Sequence, residues 1–151
     1  MAFEKHNSKR FIFLADDDSD DREFFADAVL EIEPDVILKQ VPDGMHLMDD
    51  LSALCDSELP EFIFLDINMP GKSGLECLAE IRGSEGELKE VNIVMLSTSS
   101  DPAIIQKASE LGATFYAVKP CCFESLKSLL QEVLSMGLAG TLGEKKRFLL
   151  V

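Results

Sequence analysis

The chain has 151 residues, 46% hydrophobic and 28% charged, which is the profile of one globular domain and excludes a disordered or fibrous chain. Twenty-eight acidic against 14 basic residues leave a net charge of −14, which repels nucleic-acid phosphates and suits cationic partners or a divalent cation. No apolar run approaches the roughly 18 residues of a membrane span, and residues 1–10 hold no secretion signal, so a cytoplasmic chain is expected.

The four cysteines, Cys55, Cys77, Cys121 and Cys122, match no zinc spacing and are read as reduced, structural thiols. Residues 1–10 read as an N-terminal extension. Phe11-Ile12-Phe13-Leu14-Ala15 is a continuous apolar run between polar residues, which predicts a strand buried on both faces. Phe25, Ala28, Val29 and Ile32 then share one helical face. Ser19 serves as the cap of that helix, Asp20, Asp21 and Glu23 suit its positive end, and Pro34 stops it. Residues 36–41 are mixed and predict an edge strand. Leu47, Met48, Leu51 and Leu54 mark a second helix, Phe62–Leu65 a third strand, and Leu75, Leu78 and Ile81 a third helix. Ile93–Leu96 is the fourth strand. Asp101 caps and Pro102 begins a fourth helix with the face Ile104, Ile105, Ala108 and Leu111, ended by Gly112. Phe115–Val118 is the fifth strand, and Phe123, Leu126, Leu130 and Val133 line the fifth helix. This alternation predicts an α/β fold, a doubly wound five-stranded parallel sheet flanked by five helices.

In such a sheet ligands bind beyond the carboxyl ends of the strands. The residues there are Asp16-Asp17-Asp18, Asp66, Ser97 and Lys119. Asp20 and Asp21 are explained by the start of a helix, but Asp16 and Asp17 stand where a buried strand ends. Adjacent carboxylates repel, a bound cation relieves the repulsion, and hard oxygen ligands favour Mg²⁺. Asp66 follows four apolar residues directly and is too far from the third helix to cap it; a carboxylate there can act as a nucleophile toward a phosphoryl group. Lys119, at the end of the fifth strand, can neutralise charge on transferring oxygens, and Ser97 can donate a hydrogen bond to one.

The motifs LADDD, FLDINMPGKSGLE, MLSTSSDP and FYAVKP stand in the order and spacing of one family. Over residues 11–136 the chain resembles the response-regulator receiver domains of two-component signalling, in the stand-alone, chemotaxis-regulator-like form, with a tail at 137–151. The resemblance implies a flavodoxin-like sheet of strand order 2-1-3-4-5. It also implies a non-enzymatic signalling domain that catalyses only its own phosphorylation and slow dephosphorylation. Asp66 is then the phosphoacceptor. Asp17 ligates Mg²⁺ directly, Asp16 through water, and Asn68 through its main-chain carbonyl, with Asp66 completing the set; Asp17–Asp18 is the alternative acidic pair. Ser97 is the switch hydroxyl. Lys119 pairs with the phosphoryl group, in a cis bond to Pro120. Tyr116 couples phosphorylation to the output face by turning inward behind Ser97. A sensor histidine kinase or histidine phosphotransfer protein is the implied donor, with an unknown downstream protein as target and no nucleic acid or membrane partner. That target is expected to read the face of the fourth helix, fifth strand and fifth helix. The tail, with glycines at 137, 140 and 143 and the apolar end 148–151, either docks on its own domain or adjoins that face. A phosphorelay intermediate or phosphate sink is the alternative role. A haloacid-dehalogenase-like phosphatase would need an acid where Asn68 stands.

Overall fold

All five apolar runs become parallel strands in the computed structural model, which describes residues 10–139 and 148–150. They are β1 (Phe11–Ala15), β2 (Ile37–Val41), β3 (Phe62–Asp66), β4 (Asn92–Ser97) and β5 (Phe115–Val118). The helices are α1 (Ser19–Ile32), α2 (Gly44–Ser52), α3 (Gly74–Arg82), α4 (Pro102–Glu110) and α5 (Phe123–Ala139). A sixth strand, β6 (Leu149–Leu150), extends the expected sheet to the order β2-β1-β3-β4-β5-β6, parallel throughout.

Alternate strand residues point to opposite faces, and each face has its own core. Phe13, Ala15, Ile63, Leu65, Ile93, Met95 and Tyr116 pack on α2, α3 and α4. Ile12, Leu14, Phe62, Phe64, Val94, Leu96, Phe115 and Ala117 pack on α1 and α5. β3 is buried along its whole length, whereas the β2 edge leaves Ile37 exposed, as its mixed sequence requires. Among the described residues no helix is long and apolar enough to cross a membrane. Of the four free cysteines only Cys77 is packed in the core, where burial pushes its thiol up to about 11; Cys55, Cys121 and Cys122 are exposed.

Two further details depart from expectation. The cap of α1 is Asp18, whose carboxylate accepts from the backbone N–H of Asp20 and Asp21, one residue before the expected Ser19. Both residue types cap well, so composition alone does not choose between them. Gly137, which the sequence places in the tail, lies inside α5. The helix there passes so close to the Arg10–Glu61 ion pair that a Cβ would collide with Glu61 and sit 3.1 Å from Arg10 Nη2. Arg10 Nη2 also donates to Leu134 O at 2.8 Å, tying the foot of β1 to α5.

The end of the chain docks on its own domain. Tyr116 N–H donates to Phe148 O at 3.0 Å, and Leu149 and Leu150 pair with Tyr116 and Ala117. Leu150 is 2% exposed within the α1–α5 core. Residues 1–9, Gly140, Gly143 and Val151 lie outside the described residues. Leu150→Ala should lower unfolding stability by about 2 kcal/mol, the cost of a buried leucine truncated where the surroundings can partly close. Urea denaturation checks this, and a midpoint equal to wild type would show that β6 holds nothing.

Candidate functional site

The strand register brings four chain segments to one sheet edge. Ala15 pairs with Leu65, Asp66 with Leu96, and Ser97 with Val118, so Asp16, Asp66, Ser97 and Lys119 follow side by side. Asp16 is fixed at three points. Its N–H donates to Val41 O at 3.1 Å, its Oδ1 accepts from Asp18 N–H at 3.0 Å, and its carbonyl accepts from Arg22 Nη1 at 2.7 Å. Among the described residues Asp16, Asp66 and Ser97 are the polar or charged residues that are buried, at 2%, 5% and 1% exposure.

One carboxylate oxygen each from Asp16, Asp17 and Asp66 lies within 4.8 Å of the other two. Asp17 is exposed and lines a cleft with Asn68 and Met69. Asp18, the alternative partner of Asp17, is occupied in capping α1. Three hard oxygen donors this close, two of them buried, fit a small divalent cation that keeps some of its waters.

Lys119 is the cation already present. Its N–H donates to Ser97 O at 2.7 Å, which fixes the end of β5 against β4. Its Nζ donates to Asp16 Oδ2 at 2.9 Å and Asp21 Oδ2 at 3.0 Å, and lies 3.5 Å from Asp66 Oδ2. Burial pushes the Asp66 carboxyl up to about 6; Lys119 opposes the rise, and the charges of Asp16 and Asp17 add to it. Burial works against the Lys119 ammonium too, but the bonds it donates to Asp16 and Asp21 and the charge of Asp66 outweigh this and hold it above its ordinary value. The edge therefore carries excess negative charge with one fixed ammonium beside it.

Two expectations are corrected here. Among the described residues no peptide bond is cis, so Lys119–Pro120 is trans. Trans is the intrinsic preference of an X–Pro bond, and the lysine reaches Asp16 and Asp21 without the isomer change. Tyr116 has no inward turn left to make. Its side chain is already fully buried, its hydroxyl donates to Ser99 O at 2.8 Å, and its ring sits 6.4 Å from that of Phe148. The Ser97 hydroxyl accepts from Ser99 N–H at 3.0 Å, so one short loop joins the two.

The sequence explains Asp21 only as an acid at a helix start, and the fold adds its contact with Lys119. The available signal was positional: α1 begins at the same sheet edge, so its first turn overlooks the strand ends.

The family model of the response regulator receiver domain matches residues 12–131. The chain is 38% identical to the transcriptional regulatory protein MalR of Bacillus subtilis over 72 residues, 48% of this chain and 29% of that protein. It thus spans less than a third of that relative's length. Among solved structures, the phosphorylated cyanobacterial phytochrome response regulator RcpA superposes with a TM-score of 0.78 at 29% identity, over 88% of this chain and 96% of that one. The Mn²⁺-bound form of the response regulator Rcp1 gives 0.72 at 29% identity, over 83% of this chain and 92% of that one.

Proposed function

The chain belongs to the response regulator receiver-domain family, and on that premise we propose that it accepts a phosphoryl group on Asp66. The donor is a phosphohistidine of a sensor kinase or phosphotransfer protein, and the chain signals in the cytoplasm through protein contacts. The carrying observation is a carboxylate buried to 5% exposure at the tip of a central strand, with Lys119 Nζ 3.5 Å away and two further carboxylates within 4.8 Å. Such a carboxylate is costly to bury unless a cation or ligand compensates its charge.

Asp16, Asp17 and Asp66, with the main-chain carbonyl of Asn68, would hold Mg²⁺. The ion supplies charge neutralisation on phosphoryl oxygens. The chain's own residues do the rest. An Asp66 oxygen attacks phosphorus, the P–N bond of the donor breaks, and its electron pair leaves with the imidazole. Lys119 pairs with a phosphoryl oxygen and Ser97 donates a hydrogen bond to another. Tyr116 and Ser99 carry the change to the α4–β5–α5 face, which here includes β6. The domain turns over no other substrate. Onward transfer of the group to a second histidine would use the same residues.

Asp66→Asn is the test. Acetyl phosphate with Mg²⁺ should add one phosphoryl group to wild type and none to the variant, as read by intact mass; equal labelling of the two would refute the assignment. The same variant should be about 1–2 kcal/mol more stable at pH 7 in metal-free buffer. Asp66 binds its proton more tightly when folded, at about 6 against the ordinary 3.8. The native state therefore holds more protons in that interval, and stability falls as pH rises through it. Asparagine removes the penalty.

A further inference from the structure

Asp21 lies closer to the site's lysine than the proposed acceptor does. Its Oδ2 is 3.0 Å from Lys119 Nζ, against 3.5 Å for Asp66. Its carboxylate takes no part in capping α1, because Asp18 accepts the N–H groups of both Asp20 and Asp21. An ammonium has three donors, and three carboxylates surround this one. Two of its donors are committed to Asp16 and Asp21 and Asp66 stands at ion-pair distance, so a phosphoryl oxygen competes with these carboxylates for the lysine. Asp16 and Asp66 are 3% and 8% exposed at their side chains and lose an ion pair in a buried setting if released. The Asp21 side chain is 47% exposed and passes into water. It is the partner least costly to give up.

We propose that Asp21 is a positioning residue that holds Lys119 back from Asp66 until a phosphoryl group arrives, and so sets the rate of phosphorylation. This rests on the reading of Asp66 as the acceptor. With acetyl phosphate the bond from phosphorus to the acetyl carboxyl oxygen breaks, and its electron pair leaves with acetate. A bond from phosphorus to an Asp66 oxygen forms, while Lys119 exchanges Asp21 for a phosphoryl oxygen. The Asp21–Lys119 contact exists before transfer and is absent during it. An interaction of that kind stabilises the ground state alone and slows the step.

Initial rates with radiolabelled acetyl phosphate and Mg²⁺ test the proposal in wild type, Asp21→Asn, Asp21→Glu, Lys119→Ala and the double variant Asp21→Asn/Lys119→Ala. Asp21→Asn should label about two- to five-fold faster, the range set by a half-exposed ion pair. Asp21→Glu should return toward wild type, and Asp21→Asn should change nothing once Lys119 is alanine. An unchanged or slower Asp21→Asn overturns the proposal. So does an equal acceleration without Lys119, which would make Asp21 a general negative charge at the entrance. A second readout needs no phosphoryl donor: in metal-free crystals of Asp21→Asn, Lys119 Nζ should close to hydrogen-bond distance of Asp66. A lysine that stays in place also overturns it. Failure of wild type itself to label at Asp66 counts against the acceptor reading, and the metal-free structure then decides the role of Asp21 alone.

Discussion

Replacing Gly74 by alanine is expected to cost about 3 kcal/mol, a fall in Tm of about 6–12 °C for a chain of this size. Ser73 caps α3 and Gly74 is its first residue, with its N–H donating to Ile67 O at 2.8 Å. That bond pulls the helix start onto the end of β3. A Cβ at Gly74 would collide with the Asp66 carbonyl oxygen and lie 2.8 Å from Ile67 Cα and 2.9 Å from Asp66 C. All three are backbone atoms, and none can rotate aside. Either α3 or the tip of β3 must move, and the tip of β3 carries Asp66. Labelling by acetyl phosphate should fall together with stability. Gly83→Ala is the matched control, because a Cβ there meets nothing closer than Ala79 O at 3.4 Å. A Gly74→Ala protein melting within about 2 °C of wild type would contradict the close approach of helix and strand.

Lys119→Ala should destabilise the metal-free protein by about 3 kcal/mol, the usual cost of stripping a buried carboxylate of its cation. Asp16 and Asp66 are both buried, and the Lys119 ammonium is in salt-bridge contact with each of them. Without it Asp66 moves further toward its protonated form, since Lys119 is what opposes its rise. Acidification should therefore recover part of the loss. Addition of Mg²⁺ should recover part as well, because a bound cation stabilises the folded state by mass action. The gain in Tm on adding Mg²⁺ should exceed that of wild type, and metal binding should survive while phosphorylation-driven change is lost. Urea and thermal unfolding with and without Mg²⁺, each at two pH values, measure the stability changes, and hydrogen exchange with and without beryllofluoride measures the phosphorylation-driven one. Identical curves for the two proteins in chelator would remove Lys119 from the charge balance.

Much of this site was legible because a charged residue placed directly after a buried apolar run has few structural excuses. Asp66 after Phe62–Leu65 and Lys119 after Phe115–Val118 are such cases, and the register of β3, β4 and β5 brings both to one edge. The strands themselves were legible for the same reason, with β1 and β5 bounded as the apolar runs are. What stayed hidden depends on distances that no local pattern carries. Asp21 looks like any acid favoured by a helix start, and only the folded edge turns it toward a lysine 98 positions away. Leu149–Leu150 is too short to announce a strand, and its pairing exists only because β5 presents an open edge. Tyr116 is amphipathic enough to sit in or out, and the Ser99 carbonyl decides the matter.

The position of α5 has a consequence for how the sheet was assembled. α2, α3 and α4 lie on one face and each precedes a strand further toward the β5 side, while α1 lies on the other face and leads back toward β2. Those four connections share a single hand, which by the strong rule for parallel crossovers is the right hand. α5 shares the face of α1, yet β6 lies onward beyond β5. The β5–α5–β6 unit therefore has the opposite, left hand. The twist of strand and helix that folds an ordinary crossover back on its sheet works against this one. β6 is consequently an addition to a finished five-stranded sheet. Its hydrogen bonds cover a β5 edge that would otherwise stand open for pairing.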